Sequence, residues 1–367
     1  MNATSVPTPA RAKPVVLEEA TAPATTGLVD RFGRVARDLR VSLTDKCNLR
    51  CQYCMPAEGI TPLPTARLLS DAEIIRLVRL AVEQLGIREV RFTGGEPLLR
   101  KGLENIVAAT AALRTDLGTA PDISLTTNGL GLTHRAAALK EAGLARVNIS
   151  MDAASAETYA KLTRRNRYDD AVAGAAAATA AGLHPVKLNA VLLPGVNAHE
   201  APALLAQALR GGYRLRFIEF MPLGPRNSWK REELLTADDI LAALSEHFTL
   251  TPRPAAERGA APAQEWDVAA GFFDGQAHPA GRVGIIASVT RPFCGDCDRT
   301  RLTADGQICT CLFAAGETDL RGPLRAGASD AELAEIWRHA MWGKQAGHGM
   351  DDPAFLQPTR PMSAIGG

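Results

Sequence analysis

Cys47, Cys51 and Cys54 stand in the pattern C-x3-C-x2-C within TDKCNLRCQYCMPAEG, residues 44–59. A closed structural zinc site is almost always four-coordinate, so this triplet leaves one coordination position open unless a fourth ligand arrives from elsewhere. An iron-sulfur cluster on three cysteines keeps one iron free to take a small molecule directly. The intervening residues are polar or aromatic and no histidine stands nearby, which favours the cluster. Cys294, Cys297, Cys309 and Cys311 form a second clump in FCGDCDRTRLTADGQICTCLF, residues 293–313. They fit a second three-cysteine site or a tetrahedral zinc site built from C-x2-C and C-x-C. Strand alternation would put Cys309 and Cys311 on one face. Seven cysteines, an odd number in two clumps, speak for metal in a reducing compartment rather than for disulfides.

The rest of the composition sets the surroundings of these thiols. The chain has 367 residues, 46% hydrophobic and 22% charged, and its formal net charge is +1. That describes a globular chain with a large core and no global field to recruit nucleic acid or an anionic membrane. No apolar run approaches the roughly 18 residues of a membrane span, and the start lacks a secretory signal, so a cytoplasmic protein is expected. G-x-G-x-x-G and Walker patterns are absent and the seven histidines are scattered, so a nucleotide would not be held by a standard phosphate loop.

The elements that must position the thiols alternate regularly. Short β-branched or apolar runs occur at 41–44, 89–93, 123–127, 146–151, 186–192 and 215–220. Helical segments fall between them: the first, AEIIRLVRLAVEQLG, is opened by a capping box, Ser70 to Glu73, and stopped at Gly86, and others run near 103–115, 133–142, 169–181 and 199–210. This rhythm predicts parallel strands joined by right-handed crossovers. Six units are short of the eight in a full barrel of about 250 residues, so an α/β fold with an incomplete (β/α)6 barrel is expected. Residues 1–28, rich in Ala, Pro and Thr, read as a disordered tail, 29–225 as the partial barrel and 226–367 as a smaller α+β region carrying the second cysteine group. Functional groups gather at the carboxyl ends of such strands. TGGEP, TTNG and SMD end strands two, three and four here. Glu219 and Asp152 could be read as an acid-base pair, though a structural role is the stronger reading.

With the triplet after the first strand and Gly94-Gly95-Glu96-Pro97 after the second, the chain resembles the radical S-adenosylmethionine enzymes. Within them, the second cysteine group with its R-x-R run resembles the GTP 3′,8-cyclase family of molybdenum cofactor biosynthesis, from about Arg40 to the last residue. The resemblance implies two 4Fe-4S clusters, one on Cys47, Cys51 and Cys54, the other on Cys294, Cys297 and Cys311. It also implies S-adenosylmethionine contacts at Tyr53, Gly95, Ser150 and Met221. GTP contacts are implied at Arg40, Arg91, Thr126, Lys187, Arg299, Thr300 and Arg301. Catalytic roles fall to Arg299, Arg301 and the terminal pair Gly366 and Gly367. Implied partners are an electron donor such as a flavodoxin or ferredoxin, and the downstream cyclic pyranopterin monophosphate synthase, with the protein a monomer or homodimer. Cys309 departs from the family pattern as an additional thiol. A peptide-modifying maturase with an auxiliary cluster, and a non-catalytic zinc or iron-sulfur protein, are the alternative readings.

Overall fold

The computed structural model describes residues 26–225, 229–314, 316–350, 355, 357–358 and 360–366. The expected tail therefore lies almost wholly outside the described residues, as does Gly367. The six expected strands form close to their expected limits: β1 (Asp38–Ser42), β2 (Glu89–Thr93), β3 (Asp122–Thr127), β4 (Arg146–Ser150), β5 (Lys187–Val191) and β6 (Arg214–Ile218). Between them run α1 (Asp71–Glu83), α2 (Leu103–Ala111), α3 (Leu132–Glu141), α4 (Ala156–Thr163), α5 (Tyr168–Ala180) and α6 (Ala201–Arg210). Ser70 and Glu73 make the full reciprocal capping box at α1. The short α4 was not anticipated; Ser155 caps it by accepting a hydrogen bond from Thr158 N–H.

The remaining chain contributes α7 (Ala237–Ser245), β7 (Leu250–Pro252), β8 (Gln264–Val268), the hairpin β9 (Gly271–Phe273) and β10 (Gln276–His278), and β11 (Gly281–Ile286). There follow β12 (Arg299–Leu302), β13 (Gln307–Cys309), β14 (Thr318–Asp319), α8 (Arg321–Arg325), α9 (Asp330–Trp342) and α10 (Met362–Ile365). This region extends the barrel sheet on both sides. The strand order is β14-β13-β12-β1-β2-β3-β4-β5-β6-β11-β8-β7, with β12 parallel to β1 and β11 parallel to β6. The parallel core thus has eight strands rather than six, and the segment between β11 and β12, which carries Cys294 and Cys297, crosses from one side of the sheet to the other.

Alternation along the strands separates core from interior. Leu39 and Val41, Val90 and Phe92, Ile123 and Leu125, Val147 and Ile149, and Leu215 and Phe217 belong to the main hydrophobic cluster shared with the helices. The residues between them point the other way, into the barrel. No helix among the described residues is long and apolar enough to cross a membrane.

Candidate active site

The loop after β1 places Cys47, Cys51 and Cys54 around one cavity, together with Tyr53, Gly95, Ser150 and Asp152. Burial pushes the Cys54 thiol up to about 12, with Cys47 adding to the rise, while Ser363 works against it. Cys51 is raised as well, by burial and then by Asp152 and its sister thiols. Three half-buried cysteines whose thiols resist ionisation are poor neighbours for one another, and a cationic metal group removes that cost because it binds the thiolate. Among the described residues no three His, Cys, Asp or Glu side chains converge on one ion-sized point; thiolates that each take a different iron of a cluster are spaced more widely than ligands of a single ion.

The cysteine loop is tied to the strand ends by buried polar groups. Glu96 accepts hydrogen bonds from Leu98 N–H at 2.9 Å, Thr127 Oγ1 at 2.7 Å and Asn128 N–H at 2.7 Å, and burial pushes its carboxyl up to about 7. Asn128 Nδ2 in turn donates to Asn48 Oδ1 at 2.6 Å. Tyr53 donates its hydroxyl to Asp152 Oδ2 at 2.9 Å, and Val191 N–H donates to Asp152 Oδ1 at 2.8 Å. Gly94 and Gly95 serve the protein's own packing: an added Cβ would meet Thr44 O at 2.4 Å and Lys46 O at 2.3 Å respectively. The two glycines thus make room for a close approach of the cysteine loop.

A second cavity holds Cys294, Cys297 and Cys311 with Arg40, Arg91, Arg299 and Arg301. Thr126, Asn189, Val191, Ile218 and Met362 line both cavities, so the two thiol groups face one another through a shared interior. Cys309 is not among the lining residues. It is buried, and its thiol donates to Glu317 Oε1 at 3.7 Å. The expected shared face fails because β13 ends at Cys309, and strand alternation does not extend to Cys311. Lys344, 2% exposed, donates to Cys297 Sγ at 3.4 Å, Cys297 O at 3.1 Å and Arg299 O at 2.8 Å. Burial would raise the Cys297 thiol, but Lys344 and Arg299 hold it below its ordinary value.

The arginines form a row. Arg301, Arg40 and Arg91 are register partners across β12, β1 and β2. Beneath them Asp38 faces Arg299, Arg40 and Arg91 at 3.5, 3.7 and 3.9 Å. Burial raises the Asp38 carboxyl, and these guanidiniums more than offset it, leaving it below the usual range. The Nε atoms of Arg40 and Arg299 are buried without a hydrogen-bond partner.

Several expected residues are placed differently. Met221 lines the side of the second thiols rather than the cavity of Tyr53, Gly95 and Ser150. The Thr300 side chain faces away, accepting a hydrogen bond from Trp337 Nε1–H at 3.0 Å. Lys187 lies at the start of β5 in an adjoining hollow that it shares with Arg216. Glu219 spends its oxygens on Ala237, Val289 and Thr290, as a structural carboxylate does. Arg216 was missed. It lines the arginine cavity and donates to Asn189 Oδ1 at 2.9 Å and Asn148 Oδ1 at 2.7 Å, and burial brings its pKa down to about 9. Its signal was present in LRF, where a charge stands between two core residues, as in LRV around Arg40 and VRF around Arg91.

The chain is 62% identical over 342 residues to the GTP 3′,8-cyclase of Corynebacterium glutamicum strain ATCC 13032, covering 93% of this chain and 89% of that protein. It belongs to the GTP 3′,8-cyclase family. Identity to the GTP 3′,8-cyclase of Streptomyces coelicolor is 60% over 340 residues, covering 93% of this chain and 96% of the relative. The radical SAM superfamily model matches residues 41–208 and the Molybdenum Cofactor Synthesis C model residues 213–350. This GTP 3′,8-cyclase is therefore a radical S-adenosylmethionine enzyme of molybdenum cofactor biosynthesis. Two solved structures share its fold. Streptococcus suis SuiB bound to S-adenosylmethionine has a TM-score of 0.56 at 12% identity, over 91% of this chain and 76% of that one. Native anSMEcpe with bound AdoMet has 0.55 at 16%, over 85% and 81%.

Proposed function

We propose that this GTP 3′,8-cyclase holds S-adenosylmethionine at the Cys47, Cys51 and Cys54 end of the chamber and GTP between the arginine row and the second thiols. A second 4Fe-4S cluster would take Cys294, Cys297 and Cys311. One observation carries the reading, the in-register row Arg301, Arg40, Arg91. Like charges directly opposite on neighbouring strands are destabilising, and buried guanidiniums without enough anions are costly. A single carboxylate, Asp38, does not balance them. A polyphosphate does, and guanidinium forks suit its oxygens.

When bound, the first cluster and S-adenosylmethionine supply hydrogen abstraction by a 5′-deoxyadenosyl radical. The chain's own residues hold GTP so that the ribose C3′ faces that end and C8 of guanine lies within closing distance, giving the 3′,8-cyclised nucleotide. Arg40, Arg91, Arg216, Arg299 and Arg301 hold phosphate oxygens, with Lys187 beyond them. Tyr53 and Ser150 line the cofactor's side, and the Tyr53 hydroxyl is fixed by Asp152. Phe293, Leu312 and Phe313 exclude water from a reactive intermediate. The tail, which meets Arg301 at Gly366, acts with Gly367 on the course of the reaction. A flavodoxin or ferredoxin would supply the electron, cyclic pyranopterin monophosphate synthase would receive the product, and the protein would work in the cytoplasm as a monomer or homodimer.

Anaerobically reconstituted protein given GTP, S-adenosylmethionine and dithionite should yield 5′-deoxyadenosine and the 3′,8-cyclised nucleotide, identified by mass spectrometry. Cofactor cleavage without any cyclised nucleotide would contradict the assignment of the chamber to GTP.

A further inference from the structure

The segment leading to Gly366 lies across the chamber, and one side chain fixes where it starts. Arg360 donates to Asp305 Oδ1 at 2.8 Å, Asp305 Oδ2 at 3.3 Å and Glu317 Oε2 at 2.6 Å. Asp305 is 1% exposed and stands at the turn of the β12–β13 hairpin, between Arg301 and Cys309. Glu317, one residue before β14, also accepts the Cys309 thiol. The anchor is thus built on the hairpin that presents the substrate arginines.

From Arg360 the chain turns inward. Met362 N–H donates to Leu223 O at 3.1 Å, and α10 carries Met362 and Ser363 into the wall of the first thiol cavity. Gly366 then passes between Ser42 and Thr93, where an added Cβ would lie 2.6 Å from Ser42 Oγ and 2.5 Å from Thr93 Cγ2. Its carbonyl accepts a hydrogen bond from Arg301. Residues 361–366 therefore run from the second-cluster hairpin, past Cys54, to the guanidinium assigned to GTP.

We propose that Arg360 is the positioning residue of this tail: its fork on Asp305 and Glu317 sets the reach of residues 361–366 and so keeps the Gly366 carbonyl on Arg301. The inference rests on the reading above that the tail acts on the course of the reaction. Three carboxylate oxygens on two side chains call for a planar, five-donor cation, which a lysine ammonium does not reproduce. Apart from this fork, residues 361–366 are tied to the body of the protein, among the described residues, by the Met362 amide, the Arg301 bond and the contact of Ser363 with the Cys54 thiol. Losing the fork withdraws the carbonyl and frees Arg301 to turn, while Arg360 itself is bonded to Asp305 and Glu317 and to no cysteine among the described residues.

The test uses cluster-loaded holoenzyme carrying Arg360→Ala, Arg360→Lys or Glu317→Gln, with hydrogen exchange of residues 361–366, GTP affinity, iron content and the ratio of 5′-deoxyadenosine to cyclised nucleotide as readouts. Arg360→Ala should speed tail exchange and raise the ratio by about tenfold each, the scale of one lost charge-assisted contact, with iron and GTP affinity within about twofold. Arg360→Lys should recover part of both effects. Glu317→Gln keeps the Asp305 pair and should shift both readouts the same way but less, which keeps the test decisive should Arg360→Ala lose its fold. Wild-type exchange and ratio in Arg360→Ala, with the Gly366–Gly367 deletion still uncoupled, would overturn the role of Arg360 alone. A wild-type ratio in the deletion as well would overturn the reading of the tail on which it rests.

Discussion

The Arg301 guanidinium donates a hydrogen bond to the carbonyl oxygen of Gly366, 65 positions further along the chain. A side chain assigned to substrate is thereby oriented by the backbone of the chain's last turn. Glycine is required at 366 because its φ is +73° and because Ser42 and Thr93 leave no room for a Cβ.

Deleting Gly366 and Gly367 should therefore leave both clusters and GTP binding in place while stopping formation of the 3′,8-cyclised nucleotide. Gly366→Ala should do nearly the same through strain and crowding alone. Chromatographic quantification of 5′-deoxyadenosine against product checks this, and full product yield from the deletion would remove the tail from the reaction.

The thiols should divide cleanly. Cys51→Ser should abolish 5′-deoxyadenosine formation, and Cys311→Ser should remove about half of the iron, as expected when one of two equal clusters is lost. Cys309→Ser should leave iron content unchanged, because that thiol is turned towards Glu317. Iron analysis and electron paramagnetic resonance of the three variants make the comparison; equal losses from the Cys309 and Cys311 variants would point to a four-cysteine site.

Single alanine substitutions at Arg299, Arg301 or Arg216 should each remove charge-assisted bonds of about 1.5 to 3 kcal/mol. GTP affinity should then fall roughly 10- to 100-fold, with S-adenosylmethionine affinity unchanged. Arg216→Ala should also lower thermal stability, since Asn148 and Asn189 lose their partner. Isothermal titration of both ligands separates these effects, and undiminished GTP affinity in Arg299→Ala/Arg301→Ala would leave the row without a substrate role.

Burial and the neighbouring Arg216 bring Lys187 down from the ordinary 10.5 to about 8. A triphosphate favours the charged form, so binding raises that pKa, and GTP affinity should be full below about pH 8 and weaken as pH rises through it. Stability runs the other way. Between about 8 and 10.5 the unfolded chain holds more protons than the folded one, so this residue's contribution improves as pH rises. Titrations of GTP binding from pH 7 to 9 should show the slope centred near 8 in the wild type, and Lys187→Met should lose that part and keep only the fall that Arg216, at about 9, brings at the upper end.

The sequence by itself determined the parts that depend on local pattern. The apolar runs alternating with capped helices set β1 to β6 and α1, because a two-residue period and a capping box are local properties. Cysteine spacing named both thiol groups, and the family resemblance pointed to Arg40 and Arg91, each of which stands inside an apolar strand run, LRV and VRF, where a charge calls for an anion. Arg216 obeys the same rule and was legible in its LRF context.

Tertiary structure alone decided what depends on residues far apart in the chain. Strands β11 and β12 join opposite sides of the sheet because each continues a parallel ladder that no local signal specifies. That pairing puts Arg301 in register with Arg40, and so turns scattered arginines into a row. Burial of Lys344 against Cys297, the turning of Cys309 towards Glu317, and the return of the chain end to Arg301 follow from the same closure. Each pairs groups tens to hundreds of residues apart or depends on where a strand stops, and a repeat period read along the chain carries no information about either.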